Sequence, residues 1–142
     1  MVARERFVRV TLRPVASTSG SAAEVQVFGT DDSPATRAAL RFFNERRVRV
    51  HVIDLRRKPM ARGELRRMVD RLGARAVADV DGKRWLELGL GYLRMDDSEL
   101  FERLLADQRL LRLPLVRAGD RFAAGRDEVA WKSMTSITPH DR

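Results

Sequence analysis

Residues 24–53 constrain this chain more than any other stretch. Glu24-Val25-Gln26-Val27-Phe28 is a short apolar strand, and Gly29-Thr30-Asp31-Asp32 is a polar turn. Ser33-Pro34 then opens a helix: serine is a good N-cap, and proline suits the first helical position because its missing N–H is not needed there. Ala35, Ala38, Ala39, Phe42 and Phe43 follow at helical spacing, to about Arg46. Val48-Arg49-Val50-His51-Val52-Ile53 is a second strand. Strand, helix and strand in that order predict parallel strands joined by a crossover, and hence an α/β fold.

The same turn sets the first functional question. Ser33 stands at a helix N-terminus, where unpaired backbone N–H groups and the helix dipole favour an anion or a thiolate. Folds that do thiol chemistry place a cysteine at such a point, because the same field lowers a thiol's pKa. The chain has no cysteine. Thiol redox chemistry of its own, disulfide staples and thiolate metal sites are therefore excluded.

Beyond residue 53, Asp54-Leu55-Arg56-Arg57-Lys58-Pro59 reads as a polar loop. A helix over about 61–72 carries Leu65, Met68, Val69 and Leu72 on one face and stops at Gly73. Glycines break the pattern between Ala74 and Tyr92. Asp96-Asp97-Ser98-Glu99 is a capping-box start for a helix with Leu100, Phe101, Leu104 and Leu105 inward. Residues 113–117 and 120–124 read as a hairpin across Ala118-Gly119, and 126–133 as a last helix. The expected organisation is an N-terminal extension with a Ser/Ala-rich linker over 1–23, and a core domain over 24–133. That domain holds a helical insert at about 60–110, and a flexible tail follows over 134–142. Within the extension, Arg6–Arg13 alternates as a strand would. The order βαβ, helical insert, ββα fits a thioredoxin-like fold with a mixed four-stranded sheet.

Charge bears on partners. The net charge is +8, and residues 37–75 hold thirteen basic against four acidic residues. Such a segment can face nucleic acid or an acidic protein, but charge alone gives only non-specific affinity. Of the 28 basic residues 25 are arginine, the pattern of a GC-rich genome on any solvated surface. Phe42 and Phe43 lie on an apolar helix face instead of interleaving with the charges. A protein is therefore the expected partner, with nucleic acid the weaker alternative. No run approaches the roughly 20 apolar residues of a membrane span, so no membrane partner is expected. The first residues lack an apolar signal core, which makes the cytoplasm the expected location.

Four segments together resemble the arsenate reductase (ArsC)/Spx family of thioredoxin-like proteins. They are the strand and turn at Phe28-Gly29 with the following Arg- and Ala-rich helix, and the stretch from Asp54 to Leu65 with its Pro59 and Glu64-Leu65. The third is Gln108-Arg109-Leu110-Leu111-Arg112-Leu113-Pro114-Leu115-Val116, and the fourth runs from Gly119 to Arg126. The resemblance covers about residues 24–133 and implies a cis peptide at Leu113-Pro114 beside the Ser33 turn. It also implies two departures. The family cysteine position holds Ser33, and the arginine that precedes the proline is replaced by Leu113. A further family arginine in the insert aligns loosely with Asp81. Arg112 and Arg126 are close in sequence to Pro114 without occupying the matching position.

A serine hydroxyl does not ionise near neutral pH and cannot form a mixed disulfide. Ser33 as a nucleophile would need a base, and the only histidines are His51, in a strand, and His140, in the tail. Gly89-Leu90-Gly91 lacks the third glycine and preceding strand of a dinucleotide site, and Asp31-Asp32 lacks a third metal ligand. No cofactor and no metal are expected. Thr30, Asp31, Asp32, Ser33, Arg37, Leu113 and Pro114 then form a vestigial site, with no catalytic residue. Arg56, Arg57, Arg66, Arg112 and Arg126 are the candidates for anion or partner contact. The expectation is a divergent, cysteine-less ArsC/Spx-like binding or regulatory protein. The alternative is a reductase- or transferase-like enzyme in which Ser33 replaces a native or ancestral cysteine.

Overall fold

A computed structural model describes residues 24–135. The strand expected over Arg6–Arg13, the 1–23 linker and most of the 134–142 tail lie outside the described residues.

Strand β1 (Glu24–Gly29) leads through the polar turn into helix α1 (Pro34–Glu45), and β2 (Arg49–Asp54) follows. β1 and β2 pair in parallel with Val25 beside Val50 and Gly29 beside Asp54, as the βαβ reading requires. Four helices make the insert: α2 (Arg62–Leu72), α3 (Ala74–Val77), α4 (Lys83–Glu87) and α5 (Asp97–Ala106). The hairpin β3 (Leu115–Ala118) and β4 (Arg121–Ala124) closes the sheet, and α6 (Glu128–Thr135) ends the described chain. β3 is antiparallel to β1 and to β4, giving a mixed sheet of order β2-β1-β3-β4.

Alternation along the strands sends side chains to two separate cores. Val25, Val27, Val50 and Val116 face α1 and α6, where they pack with Ala38, Ala39, Phe43, Trp131 and Met134. Phe28 and Leu115 face the insert, where Leu65, Met68, Trp85, Leu100, Phe101 and Leu104 meet them. The sheet is thus covered on both sides.

Several expectations move by a residue or two, for physical reasons. The hairpin turn is Gly119-Asp120, with Gly119 at φ 62°, because Ala118 still pairs with Arg121. The glycine-broken stretch 74–92 winds into the short helices α3 and α4 and a 3-10 turn at Leu90–Tyr92. Gly73 (φ 95°) and Gly89 (φ 67°) supply the positive φ that separates these pieces. The last helix continues to Thr135 because Met134 is fully buried against the sheet, so the folded unit passes the expected boundary at 133. In α1 the inward face includes Thr36, while Ala35 and Phe42 are only partly buried.

Candidate functional site

Parallel strands β1 and β2 finish at the same end of the sheet, and their exit loops meet there. Leu55 N–H donates to the Gly29 carbonyl at 2.9 Å, extending the pairing past the strand ends. Beside Phe28, β3 begins at Leu115, so the preceding Leu113-Pro114 peptide falls next to the Gly29-Thr30 turn. That peptide is cis, as the resemblance implied.

Ser33 is the N-cap of α1: its backbone is extended, and its Oγ accepts the Thr36 N–H at 3.2 Å. The hydroxyl therefore already serves one of the orphan donors of the first turn. Thr30 Oγ1 donates to Asp32 Oδ1 at 2.7 Å, and Arg37 Nη1 donates to the Asp31 carbonyl at 2.8 Å. From the loop after β2, the Arg56 guanidinium reaches both Asp31, at 3.2 Å, and Asp32. The Thr30 hydrogen bond holds the Asp32 carboxyl below the usual carboxylate pKa; slight burial opposes it and Arg56 adds to it. Arg56 thus pairs with carboxylates of the turn itself, and Arg37 ties to its backbone.

Next to this turn lies an open cleft of about 890 Å³. Thr30, Asp32, Leu55, Arg56, Pro59 and Leu113 form one wall, and residues 105–109 form the other. The second wall is built by two reciprocal locks. Gln108 Oε1 accepts the Met60 N–H at 2.7 Å while its Nε2 donates to the Met60 carbonyl at 2.9 Å, fixing the loop before α2. Asp107 caps the short turn after α5 and accepts Arg84 Nε at 2.8 Å and Arg109 Nε at 3.2 Å.

Burial raises the Asp107 pKa, but the hydrogen bonds from Arg84 and Arg109 together outweigh it and leave the carboxyl below its ordinary value. A carboxyl more acidic in the folded chain stabilises the fold above its unfolded pKa of about 3.9, and that contribution disappears as pH falls through the folded value. Asp107→Asn is therefore expected to flatten the loss of thermal stability below about pH 4. Melting temperatures of both chains across the acid range measure this; parallel curves would count against it.

The predicted site residues divide into two groups. Thr30, Asp31, Asp32, Ser33, Arg37, Arg56, Leu113 and Pro114 gather at the C-terminal end of β1. The remaining arginines do not join them. Arg57 is exposed and is not in the cleft lining, and Arg66 stacks over the Phe101 ring at 4.0 Å on α2. Arg112 lays its aliphatic stem against Gly125, and Arg126 pairs with Glu128 at 3.6 Å. Neither takes the place of a donor before Pro114. His51 sits mid-strand opposite Gln26, outside the cleft lining. Among the described residues no group of three His, Cys, Asp or Glu is arranged to hold a metal ion, and no helix is long and apolar enough to cross a membrane. Asp107, Gln108 and Arg109 escaped sequence reasoning as site residues. Their signal is the Asp-x-Arg pairing just after the α5 periodicity ends, which is a cap pattern in any chain.

Together, the mixed sheet with its flanking helices, the strand–turn–helix at Ser33 and the cis-proline beside it define a thioredoxin-like protein. Residues 15–134 match the ArsC family model, and the chain belongs to the ArsC family. An arsenate reductase from Neisseria meningitidis serogroup A is 29% identical over 106 residues, covering 72% of this chain and 91% of that protein. Among solved structures, an arsenate reductase from Vibrio cholerae superposes with a TM-score of 0.70 at 21% identity, covering 80% of this chain and 99% of the other. An arsenate reductase (ArsC) related protein from Brucella melitensis gives 0.60 at 12% identity, covering 80% and 96%. These structural likenesses carry the fold. The chain is an ArsC-family member without a cysteine.

Proposed function

We propose that this ArsC-family chain works by binding a protein partner and performs no thiol-dependent reduction. The observation that carries this reading is the engagement of the turn with itself. Ser33 Oγ is occupied as a cap, and Arg56 is neutralised by Asp31 and Asp32. An incoming oxyanion would have to compete with the Asp31 and Asp32 carboxylates for Arg56, with Leu113 offering no charge in return. That costs affinity, because the same donors cannot serve both. The cleft alongside suits a peptide-like segment. Leu55, Pro59, Leu105 and Leu113 supply apolar contact, between rims of internally paired charges.

Two measurements test the reading. Purified chain incubated with arsenate, glutathione and glutaredoxin is expected to yield arsenite no faster than a protein-free control. Turnover that Ser33→Ala abolishes would overturn the non-reductive half of the proposal. Crosslinking in native cells, followed by mass spectrometry, is expected to place a partner on the cleft walls, and Leu113→Glu with Arg109→Glu is expected to remove it. A crosslink pattern indifferent to both substitutions would overturn the binding half.

A further inference from the structure

At the end of the sheet away from the Ser33 turn, the β3–β4 hairpin and the second half of α2 bound a small open cavity of about 270 Å³. Arg67, Asp70 and Arg71 of α2 line one side, and Arg117, Asp120 and Phe122 of the hairpin line the other. Arg117 and Phe122 are register partners, so their side chains stand on the same face of the sheet. Phe122 packs against the insert core beneath. None of these residues lines the cleft beside the Ser33 turn.

The three arginines are gathered here without a counter-charge. Arg71 and Arg117 lie over the Phe122 ring, their Cζ atoms 5.2 and 5.6 Å from its centroid. Stacking uses the flat face of a guanidinium and leaves its N–H edge to donate. The Arg117 Nε also donates to the Gly119 carbonyl at 3.1 Å, which fixes that side chain and leaves both terminal nitrogens for another acceptor. Arg67 and Arg71 stand four residues apart on α2, a spacing at which like charges repel. Elsewhere Arg62 meets Glu102, and Arg56 meets Asp31 and Asp32. At this cavity neither Asp70 nor Asp120 forms an ion pair with any of the three arginines among the described residues. Three cations against two acids leave the lining net positive.

We infer that this cavity binds a phosphoryl group through Arg67, Arg71 and Arg117. Guanidiniums that reach one cavity from both a helix and a strand suit a tetrahedral oxyanion, whose oxygens point in several directions. A carboxylate has two oxygens in one plane, and a single guanidinium fork satisfies it. Phe122 offers no acceptor to compete with the ligand. It also holds two of the three donors in place beforehand, which lowers the ordering cost of binding. The cavity is smaller than the pockets that take drug-sized ligands, so it fits one phosphoryl group with a few attached atoms and not a length of nucleic acid. The ligand is therefore the free ion or a small phosphate ester. The net charge of +8 draws either one toward the chain.

Titration of the isotope-labelled full chain, followed by two-dimensional NMR at constant ionic strength, tests this. Inorganic phosphate is expected to shift the Arg117 side-chain Nε–H and the backbone amides of Gly119 and Asp120 along a saturable, millimolar curve. Acetate is expected to leave them in place. Ribose 5-phosphate separates the two sources: tighter binding than inorganic phosphate assigns the site to an ester, and weaker binding assigns it to the free ion. Arg67→Gln breaks no hydrogen bond or ion pair among the described residues, and it is expected to weaken binding about tenfold by removing donors to a charged group. Adding Arg117→Gln is expected to abolish the shifts at Gly119 and Asp120 with an unchanged far-UV circular dichroism spectrum. Arg41→Gln removes an exposed cation on α1 and is expected to behave as the parent. No saturable shift with either phosphate, acetate binding as tightly as phosphate, or undiminished affinity in Arg67→Gln would each overturn the inference.

Discussion

Gly29→Ala is expected to destabilise the chain by about 2–3 kcal/mol, the upper range for forcing an extra methyl into a packed site. A Cβ at Gly29 would meet the Thr36 Cγ2 at 2.7 Å, closer than side chains approach, and its Cβ at 3.1 Å, a tight contact. Thr36 cannot yield easily. It is 1% exposed, it sits in the first turn of α1, and a β-branched side chain in a helix has few rotamers. The clash falls at the point where β1 passes into the Ser33 turn, so the strand and helix can separate only by disturbing the whole sheet edge. Thr36→Ala is expected to cost little, since it removes a buried hydroxyl that has no hydrogen-bond partner among the described residues. In the double variant the Cγ2 contact is gone and only the tight Cβ contact at 3.1 Å remains, so part of the Gly29→Ala loss is expected to return. Urea unfolding of both single variants and the double one measures the coupling, expected at about 1–2 kcal/mol. Strictly additive losses would mean that Gly29 and Thr36 do not share this contact.

This close fit also bears on function. The strand–turn–helix that presents a thiol in family members is kept here by packing that needs no thiol. Gly29 against Thr36, the Ser33 cap and the Arg56 clamp all hold the turn in place. The frame holds β1, α1 and β2 together.

The sequence made the outer frame legible and its interior contacts much less so. Ser33-Pro34 and Asp96-x-x-Glu99 announce helix starts through local chemistry, and both caps form as read: Asp96 accepts the Glu99 N–H at 2.8 Å while Glu99 accepts the Asp96 N–H at 2.9 Å. Apolar periodicity found α1, α2 and α5, because a long amphipathic stripe has one sensible burial. Periods fail for α3 and α4, which are shorter than two turns and owe their form to Gly73, Gly82 and the packing of Val77 and Trp85. The site followed the same division. Thr30 to Ser33 and Pro114 were visible because their chemistry is local. Arg56 on Asp31 spans 25 residues and Gln108 on Met60 spans 48, and no local pattern encodes such pairings. The basic run over 37–75 illustrates the limit from the other side. Arg46 and Arg66 cover the Phe42 and Phe101 rings, Arg71 lies over Phe122, and Arg62 pairs with Glu102. Several charges that look free in sequence are therefore committed within the fold.

Trp131→Ala is expected to be the most damaging single change, at about 3–5 kcal/mol against a total domain stability of about 5–15 kcal/mol. Trp131 is fully buried on the face of the sheet covered by α1 and α6, with the Phe42 and Phe43 ring centroids 5.5 and 6.1 Å away. It is the main weight holding α6 to the sheet. Truncation would leave a void against two aromatic rings and Val116, and a short helix has little other apolar surface with which to stay docked. The indole N–H sharpens the test, because it is buried and finds no acceptor among the described residues. Trp131→Phe keeps an aromatic ring between Phe42 and Phe43 and removes that unpaired donor. It is therefore expected to cost only about 1 kcal/mol, the lost volume being partly offset by relief of a buried polar group. Guanidinium unfolding followed by far-UV circular dichroism gives both numbers without relying on the substituted fluorophore. If phenylalanine proves as damaging as alanine, the indole N–H is contributing a hydrogen bond, and packing alone does not account for how α6 is held.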